Sequence, residues 1–239
     1  MQIGDTNVTQ RERAIRAALA FSQSEIGEPI QLKSAGRDYQ VTVRAVVGGS
    51  AVFLQGWGSE KMLSEGGGED LFPVVKTLED RFFVLWIHHQ PGRMGLGLYD
   101  SRIDAGRVLF LPGFSFLSTP TLVLWGREPR GIIFLGNASA NDDIYFLDIW
   151  VGRLVNLSRT SVSEKRFSVE PDPGGVLVSA STLQEHVVFY LDLQTLSVSV
   201  RERRPLRPGA DAESRIEGTP QTDPYILENT YLAFGDSIT

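Results

Sequence analysis

The chain has 239 residues, of which 42% are hydrophobic and 22% charged, a composition typical of folded globular proteins. A formal charge of −6 and the small size of the basic cluster at Arg201–Arg207 predict that nucleic acid is not a partner. No apolar stretch approaches the roughly 20 residues of a membrane-spanning helix, so we expect no membrane span. Without cysteine, the chain has no disulfide, thiolate metal site or cysteine nucleophile.

Residues 1–28 predict a short N-terminal helical segment. Thr9 and Glu12 form a capping box at the start of residues 10–22, and apolar side chains recur on one face of that stretch. Because the apolar face is modest, we expect the helix to cover a sheet edge or the first repeat; a membrane-surface or partner-binding helix is the alternative. No signal peptide is visible in this segment.

Residues 29–205 carry a repeat. Short β-branched and aromatic runs alternate with turn residues, and an apolar strand that ends on an aspartate recurs at Asp100, Asp148 and Asp192. The spacings of 48 and 44 residues suit propeller blades. Runs such as Phe82–Trp86 are continuously apolar, as expected of strands buried on both faces. We therefore predict an all-β fold, a propeller-like array of about four or five four-stranded antiparallel blades.

The three recurring aspartates have two interpretations. They could converge as a ring of ligands, but an aspartate at the first position of a turn bonds its own backbone two residues on, and we predict turns. Asn141 to Asp143 form an acidic cluster in an inter-strand turn, where a calcium site would need further oxygen ligands.

The three histidines do not have metal-ligand spacing. We interpret His88, His89 and His186 as polar residues of blade loops, with contact to a ligand on the propeller face as the alternative. The sequence thus predicts no metal and no cofactor, and it leaves the ligand-binding residues unknown.

Two stretches of the repeat resemble the TolB-like propeller family. Val169 to Ser179 is similar to the Pro-Asp-Gly phrase that opens a blade, and Asn141 to Ser158 is similar to the second half of the same repeat. The resemblance covers about residues 75–205, with a degenerate fourth unit around Tyr39 to Trp57. It implies a periplasmic or secreted location and loops on one face that bind a carbohydrate, a peptide or a surface protein. TolB-like propellers usually have six blades, more than the units found here.

A second resemblance follows a linker. Residues 206–228 are rich in proline and charge, which predicts an extended connection between domains. At 229–239, the apolar run Tyr231 to Phe234 leads into Gly235, Asp236 and Ser237, and this block resembles the start of the SGNH (GDSL-type) hydrolases. The resemblance implies that Ser237 is the nucleophile and an oxyanion-hole donor, that Gly235 permits the tight turn, and that Asp236 is its motif neighbour.

The rest of that catalytic machinery is not found after Ser237. The family also has a Gly-x-Asn-Asp type block and a C-terminal Asp-x-x-His, yet all three histidines of this chain precede Ser237. We therefore expect the chain itself to be inactive and to be the N-terminal accessory propeller of a modular SGNH-type esterase or lipase. The main alternative is a stand-alone propeller interaction module whose last strand closes a blade. A complete, divergent hydrolase that uses the propeller itself is a third reading.

Overall fold

The computed structural model of the protein describes residues 26–56, 58–64, 67–138, 141–159, 163–164 and 166–206. Within these residues the chain is all β: sixteen strands form four separate four-stranded antiparallel sheets. The predicted N-terminal helix, the linker beyond residue 206 and the block at 229–239 lie outside this part of the chain. No helix in the described ranges is long and apolar enough to cross a membrane.

Each sheet consists of four consecutive strands that pair in chain order, and we call the sheets blades 1 to 4. Blade 1 contains β1 (Ile30–Ser34), β2 (Arg37–Val46), β3 (Gly49–Gly56) and β4 (Ser59–Met62). Blade 2 contains β5 (Glu69–Leu78), β6 (Arg81–Gln90), β7 (Arg93–Asp100) and β8 (Ala105–Leu111). Blade 3 contains β9 (Phe116–Trp125), β10 (Glu128–Asn137), β11 (Asp142–Asp148) and β12 (Arg153–Asn156). Blade 4 contains β13 (Arg166–Asp172), β14 (Gly175–Ser181), β15 (Glu185–Asp192) and β16 (Val198–Pro205).

These bounds confirm the predicted blade unit. An aspartate ends the third strand of blades 2, 3 and 4, and the degenerate unit near Tyr39 is a complete blade 1. The number of blades described, four, lies within the predicted range.

The central strands of blade 2 are buried on both faces. Phe82, Val84 and Trp86 belong to the core shared with blade 1, whereas Phe83 and Leu85 belong to the core shared with blades 3 and 4. Successive side chains of a strand point to opposite faces, so a continuous apolar run serves two interfaces at once. Within the described residues, no core cluster joins blade 4 to blade 1, and the described blades form an open array.

A buried arginine clamps each of the two later interfaces. In blade 2, Arg81 pairs with Asp100 through Nε–Oδ1 (2.9 Å) and Nη2–Oδ2 (2.5 Å), and its Nη1 donates to the Arg127 carbonyl oxygen of blade 3 at 2.8 Å. In blade 3, Arg130 Nη1 pairs with Asp148 Oδ1 at 2.6 Å, and its Nη2 donates to the Leu193 carbonyl oxygen of blade 4 at 3.0 Å. Each guanidinium thus neutralises an acid of its own blade and bonds the backbone of the next.

A different contact joins blade 1 to blade 2. Lys61 Nζ lies 2.6 Å from Asp104 Oδ1 and bonds the Asp104 carbonyl oxygen at 2.8 Å, and Tyr99 donates its hydroxyl to the same carboxylate at 2.7 Å. The hydrogen bonds from Lys61 and then Tyr99 lower the pKa of Asp104. This pair is solvent-exposed, so it stabilises the interface less than the buried arginines do.

We expect Arg130→Met to destabilise the protein by about 3 kcal/mol, because it leaves the buried Asp148 carboxylate without a counter-charge. The matched control is Arg127→Met, which removes only the exposed pairs with Glu79 and Asp80 and should cost less than about 1 kcal/mol. Urea titration followed by tryptophan fluorescence measures both. Adding Asp148→Asn to Arg130→Met should recover part of the loss; equal effects of Arg130→Met and its control would contradict the clamp.

Candidate functional site

The recurring aspartates are turn residues, as the sequence predicted. Each carboxylate accepts a hydrogen bond of 2.9 Å from the backbone N–H two residues further on, at Arg102, Trp150 and Gln194 respectively. The Thr195 N–H also bonds Asp192, and it is the main cause of the lowered pKa of that carboxyl group. Local backbone and the interface arginines therefore account for Asp100, Asp148 and Asp192 without a ligand.

The acidic cluster is anchored by neutral donors. Asn137 Nδ2 bonds Asp142 Oδ1 at 3.0 Å, and Asn156 Nδ2 bonds Asp143 Oδ2 at 2.7 Å. Ser158 adds a hydroxyl bond of 3.2 Å to Asp143. In the described parts of the chain, no group of three or more His, Cys, Asp or Glu side chains could hold a metal ion.

The loop assignment of the histidines is wrong. His88 and His89 lie within β6, and His186 lies within β15. His88 is buried, and its Nδ1 lies 2.7 Å from Oδ1 of Asp70, its direct partner on β5. The sequence gives no local sign of this pair, because Asp70 and His88 are brought together only by the register of β5 and β6.

Gly235, Asp236 and Ser237 lie outside the described residues, so their roles stay predictions. The described residues offer a different site, a groove between the outer strands of blades 3 and 4 with a volume of about 370 Å³. This volume falls within the roughly 300–1,000 Å³ of small-ligand sites. A second cavity, between the first strands of blades 2 to 4, has only about 160 Å³ and is too small by the same measure.

The outer strands of the two blades differ in length. Gly152, with φ of 69°, completes the turn into β12, and the strand then has four residues where β16 of blade 4 has eight. Val200 of β16 lines the groove and is half-exposed. We call the apolar part of the groove lining the floor, and Asn156, Ser158 and Ser197 add polar side chains beside it. The floor consists of Val155, Leu157, Phe189, Leu196, Val198 and Val200.

Three arginines line this floor: Arg153, Arg159 and Arg203. Arg203 is held by Glu185, with Nη1 2.9 Å from Oε1. Arg153 and Arg159 are exposed and have no ion-pair partner among the residues that the structure describes. The backbone of Arg159 is held in the left-handed region at φ of 47°, where its N–H bonds Asn156 Oδ1 at 2.9 Å. The groove thus combines a net positive charge with an apolar floor.

Sequence reasoning missed these arginines as a site. Arg203 was noted only as part of a basic cluster too small for nucleic acid, and Arg153 only as part of the repeat. About 50 residues separate them, and only the packing of adjacent blades places them in one groove.

The chain is an all-β protein, a propeller-like array of four-stranded antiparallel blades. No protein-family model matches it, and no curated protein does. Among solved structures, TolB from Acinetobacter baumannii is similar at a TM-score of 0.41 and 13% sequence identity, over 63% of this chain. The chain covers 37% of the length of that structure.

Proposed function

We propose that this protein is a binding module that takes an anionic ligand in the groove between blades 3 and 4. The observation that carries the proposal is the presence of Arg153 and Arg159, two guanidinium groups without ion-pair partners in the described structure, beside an apolar floor. A guanidinium is a planar fork that binds a carboxylate through two parallel hydrogen bonds.

The chemistry of the groove favours one of the expected partner classes. A neutral carbohydrate would leave both guanidinium groups without a counter-charge, whereas an acidic peptide segment with apolar side chains would use the charges and the floor together. Arg203 is already paired with Glu185, so we assign the main anion contacts to Arg153 and Arg159 and a supporting role to Arg203.

We expect a fluorescein-labelled Leu-Glu-Leu-Glu peptide to bind the full chain, and Arg153→Gln or Arg159→Gln to weaken binding roughly 10- to 100-fold. This is the range for loss of one charge-assisted hydrogen-bonded pair of about 1.5–3 kcal/mol. Fluorescence anisotropy measures the affinity, and added salt should reduce it.

The matched control is Arg107→Gln, which changes an exposed arginine on β8, the outer strand of blade 2. It should leave the affinity unchanged, and a Leu-Gln-Leu-Gln peptide should bind poorly to every variant. Equal peptide affinity of the wild type, Arg153→Gln and Arg159→Gln would refute the groove as the site.

We further propose that the module serves a modular SGNH-type hydrolase as its accessory binding part. The support is the sequence block Gly235, Asp236 and Ser237, which follows an apolar run and a linker. Since no histidine follows Ser237 in this sequence, the proposal includes no activity for the chain itself.

A fluorophosphonate probe should leave Ser237 unlabelled in the purified 239-residue chain, because no base is available to activate the hydroxyl. Mass spectrometry of the tryptic digest checks this, and stoichiometric labelling would show a working site.

Sequencing the gene past the codon for Thr239 tests the modular arrangement. A Gly-x-Asn-Asp block and a terminal Asp-x-x-His would support it, whereas a stop codon or unrelated sequence would favour the stand-alone module.

A further inference from the structure

Blade 4 presents a sheet face that differs from the corresponding faces of blades 2 and 3. Strand register aligns the blades, because Phe83, Gly131 and Gly175 each pair with the aspartate that ends the third strand. Two residues later in each strand, the aligned residues are Leu85, Ile133 and Leu177. Four residues later, they are Ile87, Leu135 and Ser179. An apolar residue that faces the following blade is thus replaced by serine in blade 4.

The burial of blade 4 confirms that this face is uncovered in the described structure. Along β14 and β15 buried and half-exposed residues alternate, whereas β6 and β10 are buried on both faces over most of their length. Val178 and Phe189 point to blade 3 and belong to the core, and Leu177, Val188 and Tyr190 point away and do not. We call the side that carries Leu177, Val188 and Tyr190 the outward face of blade 4.

Charges on the outward face are ordered along the strands. On β13, Arg166 and Asp172 lie at opposite ends of the same face, six residues apart. On β16, Arg204 lies beside His186, level with Arg166 through the sheet register. Asp192, at the end of β15, is level with Asp172. One end of the face is therefore positive and the other negative.

In the middle of the face the order of the charges along β16 is reversed, and Glu170 of β13 adds a negative charge level with Tyr190. Glu202 pairs with Val188, one row from the positive end. The Arg201 guanidinium lies 4.4 Å from the ring centroid of Tyr190, one row from the negative end. Rotation by 180° about an axis in the plane of the face and perpendicular to the strands would place Arg166 on Asp172 and Arg201 on Glu202.

We propose that the outward face of blade 4 binds the same face of a second copy of this chain, in a symmetric sheet-on-sheet dimer. The self-complementary order of charges selects this occupant, because a twofold axis exchanges the positive and negative ends. Leu177, Val188 and Tyr190 lie at the centre of the contact, and charged pairs surround them. Such a packing has the geometry of a β-sandwich, in which the strands of the two sheets are aligned.

The size of the face sets the strength of the dimer. Four strands at about 4.8 Å spacing and roughly 26 Å of strand length give about 500 Å² per copy, or about 1,000 Å² in total. This is at the low end of specific interfaces, and most residues of the face are polar, so the dissociation constant should lie in the micromolar range and rise with salt.

Sedimentation velocity of the full chain over a concentration series from low micromolar to submillimolar tests the proposal. The wild type should pass from monomer to dimer, and Val188→Asp should weaken association at least roughly 100-fold, because the dimer would bury two carboxylates without a counter-charge, each against Tyr190 of the other copy. The matched control is Val151→Asp, which changes an exposed valine in the turn before β12, and it should not alter association. Circular dichroism checks that each variant is folded.

Reversing the charges at Arg166 and Asp172 tests whether the dimer uses this face and not another one. Arg166→Glu alone and Asp172→Arg alone should each weaken the dimer about tenfold at low salt, since symmetry makes each repulsive contact twice. The double variant, with both substitutions, should restore wild-type association. A monomer at every concentration would overturn the proposal and leave the face to solvent or to a different partner. A dimer unaffected by Val188→Asp and by both single charge reversals would overturn it as well.

Discussion

The whole array depends on the burial of both faces of each central blade. A four-stranded sheet with apolar residues on both sides exposes one apolar face unless a neighbour covers it. Phe82 and Phe83, adjacent in one strand, belong to two different cores, so blade 2 is stable only between blades 1 and 3. At about 25 cal/mol per Å² of apolar surface removed from water, each interface stabilises the fold more than any single polar contact does.

The arginine–aspartate clamps add hydrogen bonds from one blade to the backbone of the next, at the interfaces that apolar packing forms. Asp100 and Asp148 close their own turns and also hold the arginine that reaches the next blade, so one carboxylate serves a local and an interface role. In blade 4, Asp192 keeps the turn, but Gly174 stands at the position of Arg130, since each accepts a backbone hydrogen bond from the residue after the aspartate. The arginine clamp is thus present between blades 2 and 3 and between blades 3 and 4, whereas Lys61 and Asp104 join blades 1 and 2. Blade 4 has no arginine at the position of Arg130.

The sequence predicted what local chemistry determines. Asp-turn spacing and continuous apolar runs identified the strands of blades 2 to 4, whereas blade 1 was less distinct because β3 ends at Gln55 and Gly56 without an aspartate. The burial of His88 against Asp70 and the groove around Arg153 and Arg203 could not be predicted, because each depends on strand register or blade packing between residues distant in sequence. The polar His88 and His89 follow an apolar run, which predicts a loop, but the pairing of β6 with its neighbours continues the strand through both residues.

Both proposed binding surfaces, the groove and the outward face of blade 4, lie where apolar side chains are not covered by a neighbouring blade. In the groove Val200 of β16 is half-exposed, and on the outward face Ser179 of β14 replaces the apolar residue found in blades 2 and 3. Leaving apolar surface exposed at either place reduces the free energy of unfolding. Charged side chains, Arg153 at the groove and Arg166 on the outward face, lie at the edges of the surfaces thus left open. A surface that combines exposed apolar side chains with charged side chains at its edge is suited to binding another molecule.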